Sequence, residues 1–280
     1  HVRGTYDSQK AHHKAYVRRK YAKYQGMKIV AHKPLHKEVL SRLYDDQSPE
    51  MIAGYLKRHQ MVPTISKDGV YRFIKSVYGR RIEAYRVRKK KHRGRKRKTA
   101  VSLPNRTFID QRPEKINTRS RIGDGEADFI VSGKNGKGIL LVVVDRKSRT
   151  TFLERIVNVT IRRVHRAFQR IQTRFTELKT ITTDNDILFA RHTELARLLA
   201  VKLYFCHPYH SWEKGTAENT NKYIRNDIPK GGDLSRYSRQ FIERLEAKLN
   251  RRPMKCLKYH TPQEVLDRHR RRIKNKKTPC

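Results

Sequence analysis

Apolar positions along the chain change their spacing once, and the change divides it into a helical part and a mixed part. Between positions 35 and 78 they recur at helical intervals. Leu35, Val39, Leu40 and Leu43 share one face, as do Met51, Ile52 and Leu56, and Val70, Phe73, Ile74 and Val77 follow i, i+3, i+4, i+7. Ser48-Pro49-Glu50 reads as a helix start, because Ser accepts from free N–H groups, Pro fits the first helical position and Glu meets the positive dipole end. Ser66 can cap the third helix in the same way. Three short helices with a tight second connection predict an all-α helix-turn-helix module over 34–79.

From about residue 121 the pattern differs. Positions 126–131 alternate, 139–145 is a continuous apolar run and 151–157 is another, with short turns between them, which predicts a β-meander. A helix then follows from Thr160, carrying Val164, Ala167, Phe168, Ile171 and Phe175 at helical spacing. Next come a strand at 179–183, a helix at 193–200, a strand at 202–206, and helices near 217–227 and 235–250. This order predicts a mixed α/β domain over 121–268. The rest is read as a basic N-terminal segment (1–33), a basic linker (80–120) and a basic tail (269–280).

Charge narrows the class. The 280 residues hold 67 Lys plus Arg against 26 Asp plus Glu, a formal net charge of +41. Such an excess repels itself and calls for a polyanion, of which nucleic acid is the default. The longest aliphatic run, 139–144, is far too short to span a bilayer, so no membrane partner is expected. Cys206, Cys256 and Cys280 are scattered, with no Cys-x-x-Cys pair. That argues against a disulfide framework or a structural zinc site and for a reducing, cytoplasmic compartment.

Three acids stand at the ends of predicted elements in this basic domain: Asp128 within the first strand, Asp184 just after the strand at 179–183, and Glu218 at a helix start. Carboxylates are the hard ligands that magnesium prefers, and two such ions can serve an in-line phosphoryl displacement. Thirty-three residues separate Asp184 from Glu218. Around them stand Thr-Thr-Asp184-Asn and Pro-Tyr-His-Ser-Trp-Glu-Lys-Gly-Thr-Ala-Glu218-Asn-Thr-Asn. These blocks resemble the DDE transposases of the IS-thirty insertion-sequence family, relatives of retroviral integrases. The resemblance continues in Ser120-Arg121-Ile122-Gly123-Asp124-Gly125-Glu126-Ala127-Asp128, in Arg146-Lys147-Ser148-Arg149, in Leu249-Asn250-Arg251-Arg252-Pro253 and in Tyr259-His260-Thr261-Pro262. It covers roughly 112–267, and the 36–78 segment looks like the family's second helix-turn-helix. Two positions depart from the family pattern: Gly125 stands where Trp is usual, and Asp184-Asn185 runs into Asp186-Ile187-Leu188 instead of Gly with an acid soon after.

The resemblance implies a ribonuclease-H-like catalytic core, a mixed five-stranded sheet with helices. Asp128, Asp184 and Glu218 would be its catalytic and metal-binding triad, holding two Mg2+ ions with Mn2+ as a substitute. It implies cleavage and strand transfer at the terminal inverted repeats of an insertion sequence, double-stranded DNA as partner, a homodimer or larger assembly, and a further helix-turn-helix upstream of His1. It also favours Asp128 over Asp124, whose other role is a turn at Gly123-Asp124-Gly125. Glu126 is read as a neighbour, Asp145 as pairing locally beside Arg146, and Asp186 as a loop cap. His207 and His210 lack a third ligand at zinc spacing and are assigned to DNA contact or exposure.

The expected DNA contacts fall in three places. Lys67, Arg72 and Lys75 ring the third helix of the helix-turn-helix. Lys89, Lys90, Lys91, Arg93, Arg95, Lys96, Arg97 and Lys98 form a run suited to phosphates without sequence preference. Trp212 is expected as a flap or stacking residue, and Lys222 and Arg225 lie four and seven residues after Glu218, on its helix face.

Overall fold

The computed structural model describes residues 7–22, 27–87, 104–133, 136–208 and 210–277. The basic run from Lys89 to Lys98 lies outside the described residues, as does the side chain of Trp212. The chain divides into two compact units, His1–Lys91 and His92–Cys280.

The first unit is helical: α1 Ser8–Ala22, α2 Lys28–Ala31, α3 Lys33–Tyr44, α4 Pro49–Arg58, α5 Lys67–Lys75 and α6 Arg80–Val87. Ser48 and Ser66 cap α4 and α5, their hydroxyls accepting from the Met51 and Gly69 N–H groups. The core is built from Leu35, Val39, Leu43, Ile52, Leu56, Val70, Phe73 and Ile74, together with Ile29 and Ile82 from outside the predicted module. Val77 does not join them. The helix stops at Ser76, and Val77 enters a 3-10 turn with 67% of its surface exposed. Behind that turn Gly79 lies against the end of α5, where a Cβ would come within 2.2 Å of the Phe73 carbonyl oxygen.

The second unit carries a short helix, α7 Glu114–Asn117, ahead of a five-stranded sheet in the order β3-β2-β1-β4-β5. Its strands are β1 Asp124–Val131, β2 Ile139–Asp145, β3 Thr151–Ile156, β4 Thr180–Thr183 and β5 Lys202–Phe205. β1, β2 and β3 run antiparallel as the expected meander, and β4 and β5 run parallel to β1. The parallel pairings require crossovers, supplied by α8 Ile161–Arg174 and α9 His192–Leu199. α10 Gly215–Asp227, α11 Arg239–Asn250 and α12 Pro262–Lys277 complete the unit. Together they give the mixed five-stranded α/β core expected.

Both faces of the sheet are covered. Ile139, Leu141 and Val143 of β2 point to a core shared with Val164, Phe168 and Ile171 of α8 and with Leu266 of α12. Leu140, Val142 and Val144 point the other way, to Ile224 of α10 and to Ile242, Leu245 and Leu249 of α11. That double burial is why β2 reads as an unbroken apolar run. In β1, Ala127 faces the first core and Ile130 the second. Side chains alternate along a strand, so Asp124, Glu126 and Asp128 all face the α10 side.

Two expected boundaries move. The 80–120 linker carries structure at both ends: Ile82 belongs to the helical core, while Ile116 is buried and Arg112 donates to Thr182 of β4 at 3.1 Å. The basic tail continues α12 to Lys277, and Arg270 anchors it on Glu177 at 2.8 Å.

Candidate active site

Of the three acids on one face of β1, two are committed to structure. Asp124 is fully buried and receives Arg121 at 2.9 Å and the Thr180 hydroxyl at 2.7 Å. Glu126 is buried, and its Oε1 accepts from Arg146 at 2.9 Å. Its Oε2 accepts the backbone N–H groups of Thr216 and Ala217 at 3.0 and 2.9 Å. These are orphan donors in the first turn of α10, so the carboxylate caps that helix and meets its positive end. Glu126 is therefore more than a neighbour of Asp128: it fixes the start of the helix that carries Glu218. Asp145 does not pair with Arg146, which goes to Glu126. It accepts the N–H groups of Gly123, Lys147 and Ser148 instead, and burial pushes its pKa up while those bonds oppose the rise. Asp186 caps the next turn, accepting from the Leu188 N–H at 2.9 Å.

Asp128 of β1 and Asp184, just past the end of β4, meet at one cation. Lys214 Nζ lies 3.0 Å from Asp128 Oδ1 and 3.1 Å from Asp184 Oδ2. The lysine is 5% exposed. Burial pulls its pKa down, but the charges and hydrogen bonds of Asp128 and Asp184 outweigh burial, and the net shift is upward. The ammonium stays charged and offsets the repulsion of two close carboxylates. Asn221 donates from Nδ2 to Asp128 Oδ2 at 2.6 Å. Its own Oδ1, like Asp184 Oδ1, is buried without a partner among the described residues.

Glu218 lies one turn beyond Lys214. It is partly buried and makes no hydrogen bond or ion pair among the described residues. Lys214, Glu218, Asn221 and Arg225 fall at i, i+4, i+7 and i+11, a single stripe. Arg225 is partly buried and donates to the Pro229 carbonyl at 3.3 Å; burial lowers its pKa and the charge of Asp128 opposes that. It does not pair with Asp227, which Lys248 holds at 3.0 Å. Lys222 is exposed. In the helical unit Lys67, Arg72 and Lys75 are all exposed on α5, beside Tyr71 at 46% exposure.

This donor set suits a hard divalent ion. It offers two carboxylates that meet at Lys214 and a third on α10; among the described residues one oxygen of Asp184 is buried without a partner and the Glu218 side chain has none, where unsatisfied buried polar atoms are rare. The three are not drawn to single-ion spacing. Among the described residues the sole group of three ligand atoms within 4.8 Å of one another is His207, His210 and Glu213. Glu213 is thus the third neighbour that the two histidines seemed to lack. Lys214 also escaped the sequence reading, its signal hidden among 67 basic residues. At Gly125, where the family pattern carries Trp, an added Cβ would lie 3.2 Å from Leu178 and 3.3 Å from Val143, so a side chain there would require these neighbours to give way. Leu188, in the Asp186-Ile187-Leu188 stretch that departs from the family pattern, packs against the core.

No protein-family model matches the chain. The transposase of insertion sequence element IS4351 from Bacteroides fragilis is 37% identical over 270 residues, which is 93% of this chain and 80% of that protein. Transposase InsI of IS30A from Escherichia coli K12 is 34% identical over 253 residues, 84% of this chain and 65% of that protein. The transposase of IS1086 from Cupriavidus metallidurans is 36% identical over 59% of this chain and 49% of that protein. Among solved structures, the catalytic core of BIV integrase aligns with 54% of this chain and 98% of its own at 18% identity and a TM-score of 0.43. With more than a third of its residues identical across four fifths of the IS4351 protein, the chain belongs to the IS30 family of insertion-sequence transposases.

Proposed function

We propose that this transposase cuts DNA at the terminal inverted repeats of an insertion sequence and joins the freed ends to target DNA, using Asp128, Asp184 and Glu218 as a metal-binding triad. The observation that carries the reading is the meeting of Asp128 and Asp184 at the buried Lys214 ammonium, with Glu218, whose side chain has no partner among the described residues, one turn away. Two Mg2+ ions, with Mn2+ as substitute, would be held by these carboxylates and would activate the attacking oxygen and stabilise the leaving one.

The chain's own residues prepare the site. Glu126 anchors the start of α10 on β1, so Glu218 is presented to the strand that carries Asp128. Asn221 orients the Asp128 carboxylate. Lys214 holds Asp128 and Asp184 together without an added cation and becomes available to a DNA phosphate when they bind one. Arg225, further along the stripe, can fork onto a phosphate of the strand, which a lysine cannot do. Lys222 adds an exposed charge beside it.

Binding is assigned to three surfaces. Lys67, Arg72 and Lys75 on α5 would read the element end, with the 34–79 module as the DNA-binding domain. The run Lys89–Lys98 would hold phosphates without sequence preference, and the loop around Trp212 would lie against the strand. Two ends must be held together for joining, so the active form is a homodimer or larger assembly acting on nucleoid DNA in the cytoplasm. The test is a strand-transfer assay with labelled candidate ends, Mg2+ and the full chain. Joined products that disappear in Asp128→Asn support the proposal. Nicks without joining would make the protein a nuclease, and DNA bound but uncut would make it a regulator.

A further inference from the structure

Ahead of Lys214, the loop between β5 and α10 gathers a second cluster, outside the carboxylate site. His207 Nδ1 lies 3.0 Å from Glu213 Oε1, and His210 Nδ1 lies 3.2 Å from the same oxygen. All three ligand atoms are within 4.8 Å of one another. The far nitrogen of His207, Nε2, is 2.8 Å from Asp110 Oδ2, and its ring stacks on Phe108 with centroids 5.4 Å apart and planes 9° from parallel. The second Glu213 oxygen accepts the His207 backbone N–H at 2.9 Å.

We propose that His207, His210 and Glu213 form a cation site for a zinc-class transition ion, separate from the magnesium carboxylates, and that this ion pins the loop leading into Lys214 and Glu218. The first argument is the donor set. Two imidazole nitrogens and one carboxylate oxygen match zinc, whereas magnesium takes oxygen and water. The second is spacing. Ligand atoms on a tetrahedral zinc with bonds of about 2.0 Å sit about 3.3 Å apart, and the two His–Glu separations are already close to that edge. The protons now shared between imidazole and carboxylate would leave, the two imidazole nitrogens, within 4.8 Å of each other, would draw in to the same edge, and one corner of the tetrahedron remains for water.

The third argument is independent of the three ligands. A metal-bound imidazole usually donates its other N–H to a carboxylate, which fixes the ring and its tautomer. Asp110 supplies that carboxylate to His207 from a turn nearly a hundred residues earlier in the chain, and Phe108 holds the ring plane. A surface ion pair alone gives no reason for His207 to be oriented from both sides. The site lies directly before the residues that complete the carboxylate cluster, so an ion here would stiffen the 207–214 segment. The inference does not depend on Asp128, Asp184 and Glu218 being catalytic.

The test is Zn2+ titration of the full chain against a competing chelator, in excess Mg2+ so that the carboxylate cluster is occupied. One tight equivalent is expected, weakened at least about tenfold in His210→Ala and in Glu213→Gln. Asp110→Asn should weaken it by about 10–100-fold through the oriented imidazole. Co2+ replaces Zn2+ as a probe on the unaltered chain, where one equivalent should give a tetrahedral d–d spectrum that Zn2+ abolishes. An absent or octahedral cobalt spectrum would overturn the proposal without any variant having to fold. So would zinc affinity that is unchanged in His210→Ala, because the three groups would then be an ion-pair cluster only.

Discussion

Glu213 and Lys214 are neighbours in sequence and do opposite things. Glu213 collects two imidazoles, while Lys214 collects two carboxylates from β1 and β4. They end a 3-10 turn, Ser211–Lys214, in which successive side chains diverge by about 120°. One turn of backbone thus serves two imidazoles bonded to a carboxylate on one side and two carboxylates bonded to an ammonium on the other. Burial separates them further. Lys214 is 5% exposed, whereas the His207 side chain keeps 30% of its surface. Electrostatics are therefore strong on the carboxylate side and solvent-screened on the imidazole side. Hydrogen bonding to Glu213 and the nearby Asp110 charge raise the His207 pKa, while burial opposes the rise.

The carboxylate side should be the more costly to disturb. Asp184→Asn is expected to lower cleavage by about 10³-fold or more, since a metal carboxylate is worth several kcal/mol. DNA affinity should be unchanged or slightly higher, because a negative charge facing phosphates is gone. A folded Asp184→Asn that loses DNA binding too would remove the purely catalytic assignment. Glu126→Ala strands the buried Arg146 and uncaps α10, so it should cost about 3–5 kcal/mol in urea unfolding. A cost below about 1 kcal/mol would show that α10 does not depend on β1.

Lys214→Met sharpens the contrast between the two neighbours. It removes the ammonium that competes for Asp128 and Asp184, so Mg2+ should bind about tenfold more tightly, and added Mg2+ should raise the Tm more than in the unaltered chain. Glu213→Gln should leave Mg2+ affinity within about twofold. Weaker Mg2+ binding in Lys214→Met would mean that the ion needs the lysine in place instead of replacing it between the carboxylates. The smallest effect concerns thiols. Cys206, buried just after β5, has its pKa pushed up to about 12 chiefly by burial, whereas Cys256 is exposed. At pH 8 an alkylating reagent should modify Cys256 and spare Cys206; equal rates would indicate that the strand end beside Asn185 opens.

Local signals in the sequence located most of the elements. The Ser48 and Ser66 caps, the continuous run of β2 and the period of α8 each depend on neighbouring residues, so they were readable. Val77 departs from the expected helix because periodicity alone does not say where a helix stops. At the site, the spacing of Asp184 and Glu218 and their flanking blocks carried the motif. What could not be read was pairing across the fold. Lys214 looks like any other lysine until β1 and β4 are placed beside it, and Glu126 caps a helix 90 residues later in the chain. Glu213 was more accessible: His207, His210 and Glu213 stand at a regular three-residue spacing in one loop, a pattern that local sequence carries once carboxylates count as ligands.

Glu218 offers the most direct measurement. Asp128 and Asp184 each hold a structural bond, so their loss mixes chemistry with folding, whereas Glu218 has no partner among the described residues. Glu218→Gln should therefore leave the Tm in metal-free buffer within about 1 °C of the unaltered chain, as expected for a substitution that touches no packed or paired feature. The same variant, assayed on labelled element ends with Mg2+, should lose cleavage by about 10³-fold. Cleavage at the unaltered rate by Glu218→Gln would contradict the assignment of the triad and leave Asp128, Asp184 and Lys214 as a structural ion cluster.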